Sequence, residues 1–222
     1  MKKITSVLFL FYCFSVGWAQ TVPPCTLEIT DAETFARDWT VIDVNSDVSA
    51  NTWAYNDGNA MYTQDKSNAA DDWLIAPAVT LEAGKAYKVS AYVKHSSTFG
   101  SDKQKIELKI GTAPTVEGLT TRLVYDESFQ SRLFVEKSGT FSPAESGVFY
   151  VGLRCYSESY NGDLYFQKIV IEEAPVYPAQ ITDLSIVAGE RGAMSATLSW
   201  TWPSSDHLGG ALSNLLGAKI YR

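Results

Sequence analysis

Beyond residue 86 the chain alternates between apolar and polar positions. Tyr87, Val89, Ala91 and Val93 are separated by Lys88, Ser90, Tyr92 and Lys94; Ile106, Leu108 and Ile110 are separated by Glu107 and Lys109. A period of two is what a strand shows when one face meets a core and the other meets solvent. The pattern predicts further strands over 121–126, 132–137, 147–156 and 164–171, with turn material around Gly84, Gly111 to Gly118, Ser142 to Gly147 and Ser157 to Asp163. No long segment keeps helical spacing, and residues 31–37 predict one short helical turn at most. Many short strands between regular turns build an all-β sandwich or barrel, and residues 21–175 have the length of one jelly roll.

The two ends read differently. Residues 1–20 open with Lys2 and Lys3, continue through an apolar run from Ile4 to Val16, and close on the small residues Gly17 and Ala19. That order predicts a secretory signal peptide. The run falls short of the ~20 residues a membrane span needs, so a secreted or cell-surface protein with no membrane span after cleavage is expected. At the other end, Glu172 to Pro178 carries two prolines and reads as a stiff linker. Strand-like runs follow at 181–187, 196–202 and 218–221. Residues 176–222 are too short for a two-sheet sandwich, which needs roughly 100 residues, so the chain is expected to stop inside a second domain.

Composition narrows the function classes. The chain is 45% hydrophobic and 13% aromatic, enough for a packed core. Its formal net charge of −7 comes from 25 acidic and 18 basic residues without a basic run, which excludes nucleic acid as a natural partner. Signal cleavage removes Cys13 and leaves Cys25 and Cys155. Two cysteines in an oxidising compartment suggest one disulfide; the alternation Phe149, Val151, Leu153, Cys155 equally allows a buried free thiol.

Several passages carry a resemblance. Trp39 to Asp47, Thr52-Trp53, Asp71-Asp72-Trp73-Leu74-Ile75-Ala76-Pro77 and Leu81-Glu82-Ala83-Gly84-Lys85-Ala86-Tyr87 resemble the cleaved-adhesin, or choice-of-anchor J, family of bacterial surface proteins. The resemblance covers about 25–173 and implies a jelly roll related to carbohydrate-binding modules. Pro178 to Leu184 and Leu198-Ser199-Trp200-Thr201-Trp202-Pro203 are similar to the first strands of a fibronectin type III domain, with Trp200 as its core tryptophan. The adhesin resemblance also implies structural calcium near the first and last strands. Glu28 would be its first-strand ligand, but Gln167 and Lys168 stand where the closing strand commonly carries an acidic pair.

Candidate chemistry is sparse. Asp43, Asn45 and Asp47 place oxygen ligands at alternate positions, a spacing that suits calcium or an Asx-rich turn. Asp71 and Asp72 are adjacent, so on a strand they point to opposite faces and do not pair for hydrolysis. Trp53, Tyr55, Tyr62, Tyr156 and Tyr160 fall in loop-like passages, where flat rings stack on sugars or anchor a protein contact. His95 and His207 lack ligand or triad spacing, and no nucleophile elbow or phosphate loop occurs. The expectation is a noncatalytic binding or adhesion module for a glycan or a host or matrix protein. Its rivals are an accessory domain of a secreted peptidase or glycosidase, and a structural spacer.

Overall fold

The computed structural model describes residues 21–47, 51–97, 101–192, 194–207, 210–212 and 217–218; the expected signal segment 1–20, and the run expected at 218–221 apart from Ala218, lie outside the described residues. The described chain runs β1 (Cys25–Glu28), α1 (Ala32–Asp38), β2 (Thr40–Asp43), β3 (Trp53–Asn56), β4 (Asn59–Tyr62), β5 (Asp72–Ile75), β6 (Val79–Leu81) and β7 (Tyr87–His95). It continues through β8 (Gln104–Gly111), β9 (Thr121–Phe129), β10 (Val135–Phe141), β11 (Gly147–Cys155), β12 (Leu164–Glu173), β13 (Ser185–Ala188) and β14 (Ala196–Ser199).

Two antiparallel sheets stack as a jelly-roll β-sandwich. One has the order β10-β7-β12-β4-β3, with β1 also paired to β12; the other has the order β2-β5-β11-β8-β9, with β6 also paired to β11. The alternation sorts side chains as expected. Val89, Ala91, Val93, Ile169 and Ile171 of the first sheet share one buried cluster with Leu108, Ile110, Val151 and Leu153 of the second. Fully burying each large aliphatic side chain is worth about 1.5–3 kcal/mol, so this layer holds the sheets together.

Some boundaries differ from the sequence pattern. The strand expected from 132 starts at Val135, because Ser131 closes a turn by donating Oγ–H to the Leu133 carbonyl at 2.8 Å. The short helix forms because Asp31 caps it, accepting from Thr34 N at 2.7 Å. It ends where Trp39 turns extended and packs its ring edge-on against Phe166. Trp73 is buried as expected, but on the outer face of its sheet. There Leu119, from the 112–120 connection, covers it together with Ile75. The expected core residue Trp200 is only half-buried, edge-on to Trp202 at 5.6 Å, beside the two-stranded β13-β14 sheet.

Candidate functional site

Four connections cross between the sheets at one end of the sandwich: β2 to β3, β4 to β5, β7 to β8 and β11 to β12. The strand register requires this. Asp43, Asp72 and Cys155 lie side by side at that end of one sheet, as do His95, Leu164, Tyr62 and Trp53 in the other.

Main-chain bonds tie these loops together. Tyr160 N donates to Asp65 O at 2.9 Å, Ala70 N to Ser157 O at 2.8 Å and Ser96 N to Asp163 O at 2.9 Å. Side chains add to them: Gln64 Oε1 accepts from Gly162 N at 2.8 Å, and Ser96 Oγ accepts from Asp163 N at 2.7 Å. Asp65 organises the β4–β5 loop. It accepts from Ser67 N, Asn68 N, Asn51 Nδ2 and Asn68 Nδ2. These donors, the two backbone N–H groups foremost, pull its pKa down to about 2.

Beneath the loops lies a buried polar layer. Gln104 Nε2 donates to Asn161 O at 3.0 Å and Gly162 O at 2.7 Å, while its Oε1 accepts from Ser157 Oγ at 2.6 Å. His95 Nε2 meets Asn161 O at 2.5 Å, and since a carbonyl only accepts, that nitrogen carries the proton. Cys155 Sγ sits 3.4 Å from Gln104 Oε1, and complete burial pushes its pKa up to about 12. Sequence reasoning missed this layer, because Gln104, Ser157 and Asn161 look like ordinary loop residues until the topology brings them together.

Above the layer opens a cleft of about 320 Å³, lined by Gln64, Lys66, Ser96, Ser97, Asp102, Tyr160 and Gly162. Tyr160 is 65% exposed and has φ +64°. A non-glycine residue in that region is uncommon and marks a backbone that its surroundings dictate. Gly162, at φ +82°, has no room for a side chain: a Cβ there would lie 2.8 Å from His95 Nε2.

The predicted aromatic set divides. Trp53 and Tyr62 are 3% and 2% exposed, edge-on to each other at 6.0 Å, so they are core residues and not ligand contacts. Tyr55 is half-buried against the same core. Tyr156 is covered by Tyr125, its rings stacked at 5.9 Å, and its hydroxyl is buried. Of the five, Tyr160 alone stands in the cleft.

Of the two readings of the cysteines, the disulfide is not formed and Cys155 is a buried thiol. Cys25 and Cys155 are both free thiols, the first on β1 of one sheet and the second on β11 of the other. Of the predicted calcium ligands, Glu28 lies in one sheet and Asp43 in the other, with Asn45 and Asp47 in the turn after Asp43. Glu28 faces Lys168 across β1 and β12 in an ion pair at 3.8 Å. Asn45 spends its amide protons on Asp47 Oδ2 and Ala69 O, and Asp43 Oδ1 accepts from Ser46 N in an Asx-type turn. Among the described residues, no group of three or more His, Cys, Asp or Glu side chains is arranged to hold a metal. What does remain is a pair of carboxylates: Asp72 lies directly opposite Asp43, is fully buried, and has Oδ1 without a hydrogen-bond partner. Burial raises its pKa to about 7, with Asp43 and Asp47 adding repulsion. Its neighbour Asp71 points to the other face, as expected for adjacent strand positions, and binds Arg154 Nε at 2.7 Å.

The fold is an antiparallel β-sandwich with an open cleft among the loops at one end. No family model and no curated protein matches the sequence. Among solved structures, the chain is similar to the K3 cleaved adhesin domain of Lys-gingipain from Porphyromonas gingivalis W83, at 11% identity and a TM-score of 0.50, covering 66% of this chain and 98% of that one. It is also similar to the K1 domain of the same protein, at 14% identity and a TM-score of 0.48, over 68% and 99%. A third neighbour is the CBM22-1 xylan-binding domain from Paenibacillus barcinonensis Xyn10C, at 15% identity and 0.41, over 70% and 97%. At such identities the likeness concerns the fold.

Proposed function

We propose that residues 21–175 form a noncatalytic binding module that acts outside the cell, secreted or at its surface, and recognises a glycan through the loop-end cleft. The observation that carries this reading is Tyr160: an exposed aromatic ring held by a strained backbone above a polar cleft, on loops braced by a buried hydrogen-bond layer. Stacking on the apolar face of a sugar ring, with polar groups beside it to fix orientation, is what such an arrangement offers. The adhesin domain to which the chain is similar supports the class of function by its fold. A glycan array probed with the purified protein tests the site. Binding is expected, and Tyr160→Ala should remove it without lowering the melting midpoint. Glycan binding that survives this substitution, or none at all, overturns the reading.

Two smaller parts belong to the proposal. A calcium ion bridging Asp43 and Asp72 would relieve the repulsion between facing carboxylates and give the bare Asp72 oxygen a partner. Residues 176–222 would be a linker and the opening strands of a fibronectin type III domain, supported by the antiparallel pairing of Ser185 with Ser199 through Ala188 with Ala196. A second reading is favoured by the neighbour's being a domain of Lys-gingipain: the same module serving as the targeting part of a larger secreted peptidase. It leaves the cleft's role unchanged.

A further inference from the structure

We infer that the loop-end cleft selects glycans that carry a carboxylate, that is, uronic-acid chains over neutral ones; this rests on the cleft being the glycan site. The hydrogen-bonding capacity around Tyr160 is one-sided. Lys66 is exposed and makes no ion pair among the described residues, whereas Lys85, Lys88 and Lys105 each hold a carboxylate. Gln64 has spent its oxygen on Gly162 N, which leaves its amide protons to give. Ser96 Oγ accepts from Asp163 N, so its own proton is also left to donate.

The cleft also holds one carboxylate, which keeps its negative charge. Asp102 already accepts from the hydroxyls of Ser97 and Ser101. A ligand resting on the Tyr160 ring therefore meets unspent donors and one unpaired positive charge. A neutral sugar hydroxyl both donates and accepts, and beside Lys66, Gln64 and Ser96 only its accepting side is used. An ionised carboxylate only accepts, and its charge matches Lys66. In a chain of net charge −7, Lys66 is the cationic residue in the lining of this cleft; Lys94, Lys103, Arg132 and Arg191 also form no ion pair among the described residues but lie outside that lining.

The test compares charge at constant ring structure. Tetrasaccharides of galacturonate, of mannuronate and of glucuronate are titrated calorimetrically into the purified protein, each beside its own methyl ester. At least one acid is expected to bind tenfold or more tightly than its ester. Lys66→Gln should erase that difference, and Tyr160→Ala should abolish binding of both. If every acid binds no better than its ester while glycan binding still depends on Tyr160, the preference for acidic sugars is wrong and the site stands. An acid preference that survives Lys66→Gln also overturns the inference. If no glycan on the array binds, the site and the preference fall together.

Discussion

Tyr160, Trp53 and Tyr62 are chemically similar side chains with opposite fates. Each stands among turn-forming neighbours, and nothing local separates them. Trp53 and Tyr62 face each other across β3 and β4, pointing inward; Tyr160 lies in a connection whose backbone is pulled outward by its bond to Asp65 O. Asp65 is therefore the residue on which the cleft's shape turns. Its pKa lies below the ordinary 3.8, at about 2. The folded state thus binds fewer protons than the unfolded chain in that window, so Asp65 stabilises fully above pH 4 and loses its effect as pH falls towards 2. Asp65→Asn is expected to lower the melting midpoint at pH 7 and to flatten the fall between pH 5 and 2. Thermal melts across that range check it, and a variant that melts like the parent at every pH contradicts it.

At the level of elements, β7 to β12 were legible because each is long enough for the period of two to show. The short strands β2 to β6 were not. β5 is buried at all four positions, since the 112–120 connection covers its outer face, so the alternation that marks a strand vanishes. One signal was readable: Asp57-Gly58, at φ +46° and +74°, is the two-residue turn joining β3 to β4. The covering loop also explains a glycine in the middle of β11. A Cβ on Gly152 would lie 2.4 Å from Leu119 Cδ1 and 3.1 Å from the Trp73 ring. Gly152→Ala is expected to cost about 1–3 kcal/mol in urea unfolding, the usual range for overpacking. Leu119→Ala should be less harmful in that background than in the parent. Additive losses would show that the two side chains do not meet.

At the scale of the whole molecule, Asp43 and Asp72 face each other at the loop end of one sheet. If calcium bridges them, a chelator should lower the melting midpoint at pH 7.5, and Asp72→Asn should remove the difference between chelated and calcium-loaded protein. Equal midpoints for the parent with and without chelator would exclude the ion. The free thiols belong to the same scale: the sandwich places Cys25 and Cys155 in opposite sheets, a separation that two isolated cysteines in a sequence cannot disclose.

By itself the sequence determined the layered, antiparallel architecture, because a period of two leaves no other way to bury one face of each long strand. The expectations of export and of a poor fit to nucleic acid rest in the same way on local composition and charge. Which loops meet was decided only by the tertiary structure. Strand order and register bring Gln64, Ser96, Asp102 and Tyr160 to one rim from three separate connections. They also turn Trp53 and Tyr62 inward and keep the two thiols apart. Such contacts join residues far apart in the chain, and a one-dimensional pattern holds no distance between them.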